Sequence, residues 1–144
     1  MIKSYEEWGV VAIQAPIDAN AVDASIPSAT TGIDMSLWSQ LMIISQFGVM
    51  NDSGTNTITV KDSPTTNGTY TAIAGKSQAV VGTDDGKVNI IAVDSSELNA
   101  GARFVRVIND NSAHSQLLSQ VVLGKANNPP ATDNDLAVVM TIVD

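Results

Sequence analysis

Cysteine is absent from this 144-residue chain, so disulfides and thiolate metal centres are excluded and the fold rests on its core alone. Charge is scarce and uneven. Charged residues are 15% of the chain, and seven Lys and Arg face fifteen acids for a net charge of −8. A phosphate backbone or an anionic bilayer is held largely through Lys and Arg, so neither nucleic acid nor membrane is an expected partner. Apolar runs are short, none approaching the ~20 residues of a membrane-spanning helix. Near the start, Glu6 and Glu7 stand where an export signal carries basic residues, and the run at 10–13 is too short for its apolar core. The expectation is a chain made in the cytoplasm and kept or assembled there. Aromatic residues are few, at 4%.

What the chain has in quantity is aliphatic side chains, with hydrophobic residues at 44% and much of the polar remainder in Ser, Thr, Asn, Gln and Gly. That mixture suits strands and turns better than long solvated helices, which carry more Glu, Lys and Arg. The length fits one domain, which would bury about two-thirds of its unfolded surface.

The run at 102–109 is apolar on both alternate faces, Phe104 and Ile108 on one and Val105 and Val107 on the other, which predicts a strand in the middle of a sheet. A polar turn and a second strand at 117–125 follow, and the pair reads as a hairpin. Residues 41–47 form another two-sided apolar run. Residues 57–61 alternate strictly, Ile58 and Val60 facing one way.

A first strand at 9–15 is expected to stop at Pro16. Weaker strands are expected at 69–73 and 77–81, a hairpin-like turn at 82–86, and a strong strand at 87–93. Asp34 is placed to cap one helical turn, and Asp94 with Glu97 has the pattern of a capping box on another. Counting gives about nine short strands with turn signals often 8 to 12 residues apart, the spacing of an antiparallel sandwich or barrel. No sequence repeat or second domain is visible. The domain division expected is a β-sandwich at 1–125 and, at 126–144, a Pro/Asn-rich linker with an apolar C-terminal strand.

No motif carries chemistry. Gly75-Lys76-Ser77 has the end of a phosphate loop, but Tyr70 stands where its first glycine belongs and no helix is expected after it. The single histidine, His114, lies in an Asn/Asp/Ser turn and forms no triad through its neighbour Ser115. Asp84-Asp85 and Asp133-Asn134-Asp135 offer oxygen ligands without the spacing of a calcium loop. Catalytic residues, metals and cofactors are therefore expected to be none. Trp8 and Trp38 could stack on sugars, but both adjoin apolar strands, where core or interface is the commoner place for such rings.

From Leu98 to Val107 the sequence reads Leu-Asn-Ala-Gly-Ala-Arg-Phe-Val-Arg-Val, and here it resembles a family of small phage virion proteins that decorate or cement the capsid. The resemblance extends over most of the chain. Its features are an early strand, the Ile33-Asp34-Met35 turn before the apolar strand to Phe47, the Thr-Ile-Thr-Val strand ending at Val60, the acidic segment Val93 to Leu98, the strand Arg103 to Val107 and a last strand ending near Gly124. In place of the family's aromatic or Arg-containing ending, the chain has Pro129-Pro130 and an apolar run at 136–143.

The resemblance implies an antiparallel β-sandwich, jelly-roll-like; the extended C-terminal tail expected here is where the chain departs from it. It also implies a place on the outer capsid surface against the major capsid protein, trimeric assembly and no enzymatic activity. Alternatives are another virion part, such as a tail or adaptor subunit, or a carbohydrate-binding module. Self-association is expected independently, because the runs at 41–47, 104–108 and 117–123 carry more two-sided apolar surface than one core covers. Subunit contacts are expected at Trp8 and Trp38 and along the tail at Val138, Met140 and Ile142. There an apolar strand on a linker that spans up to ~30 Å is expected to reach a neighbouring subunit, the alternative being that it folds back as a final strand of its own sandwich.

Overall fold

The computed structural model describes residues 8–18, 24–27, 31–50, 53–111 and 116–127. Nine strands lie among them: β1 (Trp8–Asp18), β2 (Ala24–Ile26), β3 (Ile33–Asp34), β4 (Trp38–Met50), β5 (Thr55–Ser63), β6 (Thr71–Val81), β7 (Val88–Asp94), β8 (Phe104–Asn111) and β9 (Gln116–Ala126). The expected Val138, Met140 and Ile142 contacts, His114 and the Asp133–Asp135 cluster lie outside the described residues.

The strands form two antiparallel sheets packed as a sandwich. Sheet A has the order β1-β9-β4-β7, and sheet B has β2-β8-β5-β6 with β3 also on β8. Among the described strands, β5 and β6 are the only consecutive pair that hydrogen-bond to each other; β4 to β5, β6 to β7, β7 to β8 and β8 to β9 all change sheet. That connectivity, with sequence neighbours facing each other across the core, is a jelly roll.

Side-chain alternation sets which face is inside. Along β4, Leu41, Ile43, Ser45 and Phe47 are buried while Met42 and Ile44 between them are half-buried. On β5, Ile58 and Val60 point inward as their strict alternation predicts. Leu41, Ile43, Phe47, Val93, Leu118 and Val122 of sheet A enclose the core with Ile58, Val60, Val105 and Val107 of sheet B. The expected capping box is present: Asp94 N donates to Glu97 Oε2 at 2.8 Å and Ser96 N to Asp94 Oδ1 at 2.9 Å, around the single 3-10 turn Ser95–Glu97. Asp34 closes a turn rather than a helix, accepting from Ser36 N at 2.9 Å.

Four expectations are corrected. Strand β1 continues through Pro16 to Asp18, with a register shift between Gln14 and Ile17; an edge strand with a bulge tolerates a residue that has no N–H to donate. The runs at 102–109 and 117–125 are not a hairpin, since β8 lies in sheet B and β9 in sheet A. The two weak strands around Gly75 are one strand, β6, in which Gly75 takes φ +73 and the pairing with β5 slips between Thr59 and Lys61. The turn at 82–86 joins β6 to β7 across the sandwich and contains a 3-10 turn, Gly82–Asp84, so it is not a hairpin either.

Candidate functional site

The two outer faces of the sandwich differ in character. On sheet B one row crosses Ser25, Ile108, Thr59 and Ser77, with Thr59 Oγ1 and Ser77 Oγ 3.0 Å apart. Beside it Arg106 is covered: the Tyr70 ring lies 4.1 Å from its guanidinium, which donates to the carbonyls of Thr31 and Thr66 at 2.7 Å each. Burial pushes the Tyr70 phenol up, against the opposing charge of Arg106. This face is polar, and the 64–70 loop closes part of it.

The outer face of sheet A is apolar from edge to edge. The registers align Ile13 of β1, Val121 of β9, Ile44 of β4 and Ile90 of β7 in one row. The next row is Val10, Leu123, Met42 and Ala92. Ile13 is 46% exposed and Ile90 59% exposed, while the two central strands keep theirs half-covered by neighbours. Below lies a row with Ser119, Gln46 and the exposed Val88. Above lies a border row of Trp8, Lys125, Gln40 and Asp94. Gln40 Nε2 donates to Asp94 Oδ2 at 3.2 Å, and the Ser96 hydroxyl and N–H, with Gln40, hold the Asp94 carboxyl below its ordinary range. Eight aliphatic side chains in two adjoining rows are a surface suited to protein contact, because a soluble monomer rarely leaves a contiguous apolar patch uncovered.

The two tryptophans part company. Trp38 is 7% exposed and packs against Gly124, where an added Cβ would stand 2.6 Å from its Cε3 and from Val11 Cγ2. A ring held there serves the core and offers no face to a sugar. Trp8 is half-buried at the corner of the apolar face, opposite Lys125.

Edge strands β6 and β7 flank an opening of ≈ 180 Å³ lined by Phe47, Gln78, Ala79, Val80, Asp84, Lys87, Val88 and Asn89. Its charged rim is self-paired, with Lys87 Nζ 2.6 Å from Asp84 Oδ1 and Asp84 Oδ2 accepting from Val81 N; these bonds hold the Asp84 carboxyl below its ordinary range. Asp85 accepts from Met50 N at 2.7 Å. Both aspartates of that pair thus serve the turn. Among the described residues no three His, Cys, Asp or Glu side chains converge as a metal site would require. Gly75-Lys76-Ser77 lies within a strand, and Lys76 Nζ is bonded to Ala92 O at 2.8 Å and to Glu97 Oε2 at 2.7 Å.

Sequence reasoning foresaw that β4 and β9 carry apolar residues on both sides, but it could not align them across the sheet. It also missed Ser45 and Gln120, which are fully buried and whose only signal is a polar residue at an inward position of an otherwise apolar strand. No family model and no curated protein sequence matches this chain.

Proposed function

We propose that this chain is a non-enzymatic structural subunit of a virion, a phage head decoration or cement protein that binds the outer capsid surface and stabilises the shell. The observation that carries the reading is the unequal pair of outer faces on an acidic jelly roll, one polar and one apolar across all four strands. Such a molecule is built to be held by other protein subunits. The resemblance of the segments from Ile33 to Gly124 to capsid-decorating proteins supplies the shell as the setting and the major capsid protein as the partner.

The mechanism is linkage. Surface buried across neighbouring shell subunits must be exposed again before the shell can open, so the bound protein raises the free energy of opening. The net charge of −8 favours the outside of the head, since carboxylates facing packaged DNA would meet repulsion. In this reading the protein needs no cofactor, nucleic acid or membrane, and it self-associates, with a trimer the copy number that the resemblance implies. Cryo-electron microscopy of the parent particle tests the proposal: density for this chain is expected on the outer head surface. Density confined to the tail would replace it with a tail or adaptor subunit. A carbohydrate-binding module is less favoured because Trp38 is enclosed in the core, and binding on a glycan array would reinstate it.

A further inference from the structure

We infer that the apolar face of sheet A is covered by the same face of a second copy, in a two-fold dimer whose axis runs parallel to the strands between β9 and β4. The inference rests on the registers of the face, and it puts a two-fold pair in place of the trimer that the resemblance implies.

An acidic chain can pair with itself only through a surface free of opposed carboxylates. In the four rows described above, the charged residues are Lys125 and Asp94, both on the border row. The proposed axis places β1 over β7 and β9 over β4 of the other copy. Ile13 then lies over Ile90, Val121 over Ile44, Leu123 over Met42 and Val10 over Ala92, so each apolar row meets itself. At the border Asp94 lies over Trp8 and Lys125 over Gln40, so no like charges face each other. Packing of two such faces is ordinary sheet-on-sheet stacking, about 10 Å apart with strand directions within about 30°.

The area also suits a second copy. Four strands about 4.8 Å apart, with rows about 7 Å apart along them, make a face of about 20 by 27 Å. Pairing two such faces buries roughly 1,100 Å², just above the about 1,000 Å² at which specific interfaces begin. A reversible, concentration-dependent dimer is the expected product.

The test uses the full-length chain in sedimentation velocity over a wide concentration range. The wild type is expected to shift from monomer to dimer. Ile90→Lys, at an exposed position on an edge strand, should raise the dissociation constant by at least about tenfold, while Thr59→Lys on the outer face of sheet B should leave it unchanged. Circular dichroism of both variants should match the wild type. Because the chain has no cysteine, a second measurement fixes the geometry: in a mixture of Val121→Cys and Ile44→Cys variants, a short bis-maleimide, long enough to span the about 10 Å between the sheets that a disulfide cannot, should link a pair faster than in either variant alone. A monomer at millimolar concentration, a trimer, or a dimer indifferent to Ile90→Lys would overturn the inference, as would faster linking of either cysteine variant with itself.

Discussion

The side-chain amides of Asn109 and Gln120 meet between the two sheets and exchange two hydrogen bonds, 2.8 Å from Asn109 Nδ2 to Gln120 Oε1 and 2.9 Å from Gln120 Nε2 to Asn109 Oδ1. Both residues are 1% exposed, and Gln120 Nε2 also donates to Ser45 Oγ at 2.7 Å. One polar clasp therefore joins β8 to β9 and β4 through an apolar core. Gln120→Leu takes two hydrogen bonds from the buried Asn109 amide and is expected to cost about 1–3 kcal/mol. Changing both residues to Leu should cost less than the sum of the single changes, because no amide is left unpaired. Urea unfolding of the two single variants and the double variant measures the coupling.

Gly124 is fixed by what surrounds it. A methyl group there would press on Trp38 Cε3 and Val11 Cγ2 at 2.6 Å, and the buried indole has little room to withdraw. Gly124→Ala is expected to destabilise the fold by about 1–3 kcal/mol through overpacking. A lower melting temperature, with a changed near-ultraviolet circular dichroism spectrum from the displaced Trp38, would confirm it.

Asp62 is 2% exposed and accepts from Asn99 N at 2.7 Å and Asn99 Nδ2 at 2.8 Å. It thereby ties the segment after β7 to β5. Asp62→Ala removes an acceptor that the Asn99 backbone needs, and a loss of about 1–3 kcal/mol is expected. Hydrogen exchange should quicken first around residues 95–102, before it does so in the strands.

Arg103 grips Asp34 with two bonds, Nε to Oδ1 at 2.8 Å and Nη2 to Oδ2 at 2.5 Å. The Arg103 bond is the largest reason that the Asp34 carboxyl is lowered from 3.8 to about 2, with Ser36 assisting and burial opposing. A carboxyl whose folded value lies below its unfolded value stabilises the fold above about pH 4, and that contribution is lost as pH falls through about 2. The difference in melting temperature between the wild type and Asp34→Asn should therefore be full near neutrality, shrink below about pH 4 and fall away below about pH 2. Added salt should narrow it too, because the Arg103 side chain is half exposed.

Much of the sandwich was legible because burial on one face or two leaves a signature in each strand. Ile58 and Val60 alternate with Thr57, Thr59 and Lys61, and β5 has one face inward; residues 41–47 and 117–123 are apolar on both sides, and β4 and β9 lie in the middle of a sheet. Pairing was less legible. A short turn after a strand predicts a hairpin, but in a jelly roll β8 and β9 change sheets, and nothing local in residues 102–125 records that their inward faces look at each other. Gly75 predicts a break because glycine weakens a strand interior, whereas here it bends one continuous strand. Of the candidate face, the surplus of apolar residues was visible in the sequence, but their alignment as Ile13, Val121, Ile44 and Ile90 needed the registers.

The bulge at Gly75 has a consequence for how copies of this protein can grow together. By letting Lys76 reach the carbonyl of Ala92 and the carboxylate of Glu97, it occupies part of the open side of β7, and at the opposite rim of sheet A the pairing of β1 slips twice and the strand carries Pro16. Neither rim presents a clean ladder on which another strand could template itself, and that lateral route is the one that extends without limit. Contact through a broad two-fold face ends once two copies have met. Along sheet A, therefore, strand-by-strand growth is the disfavoured route for copies of this protein.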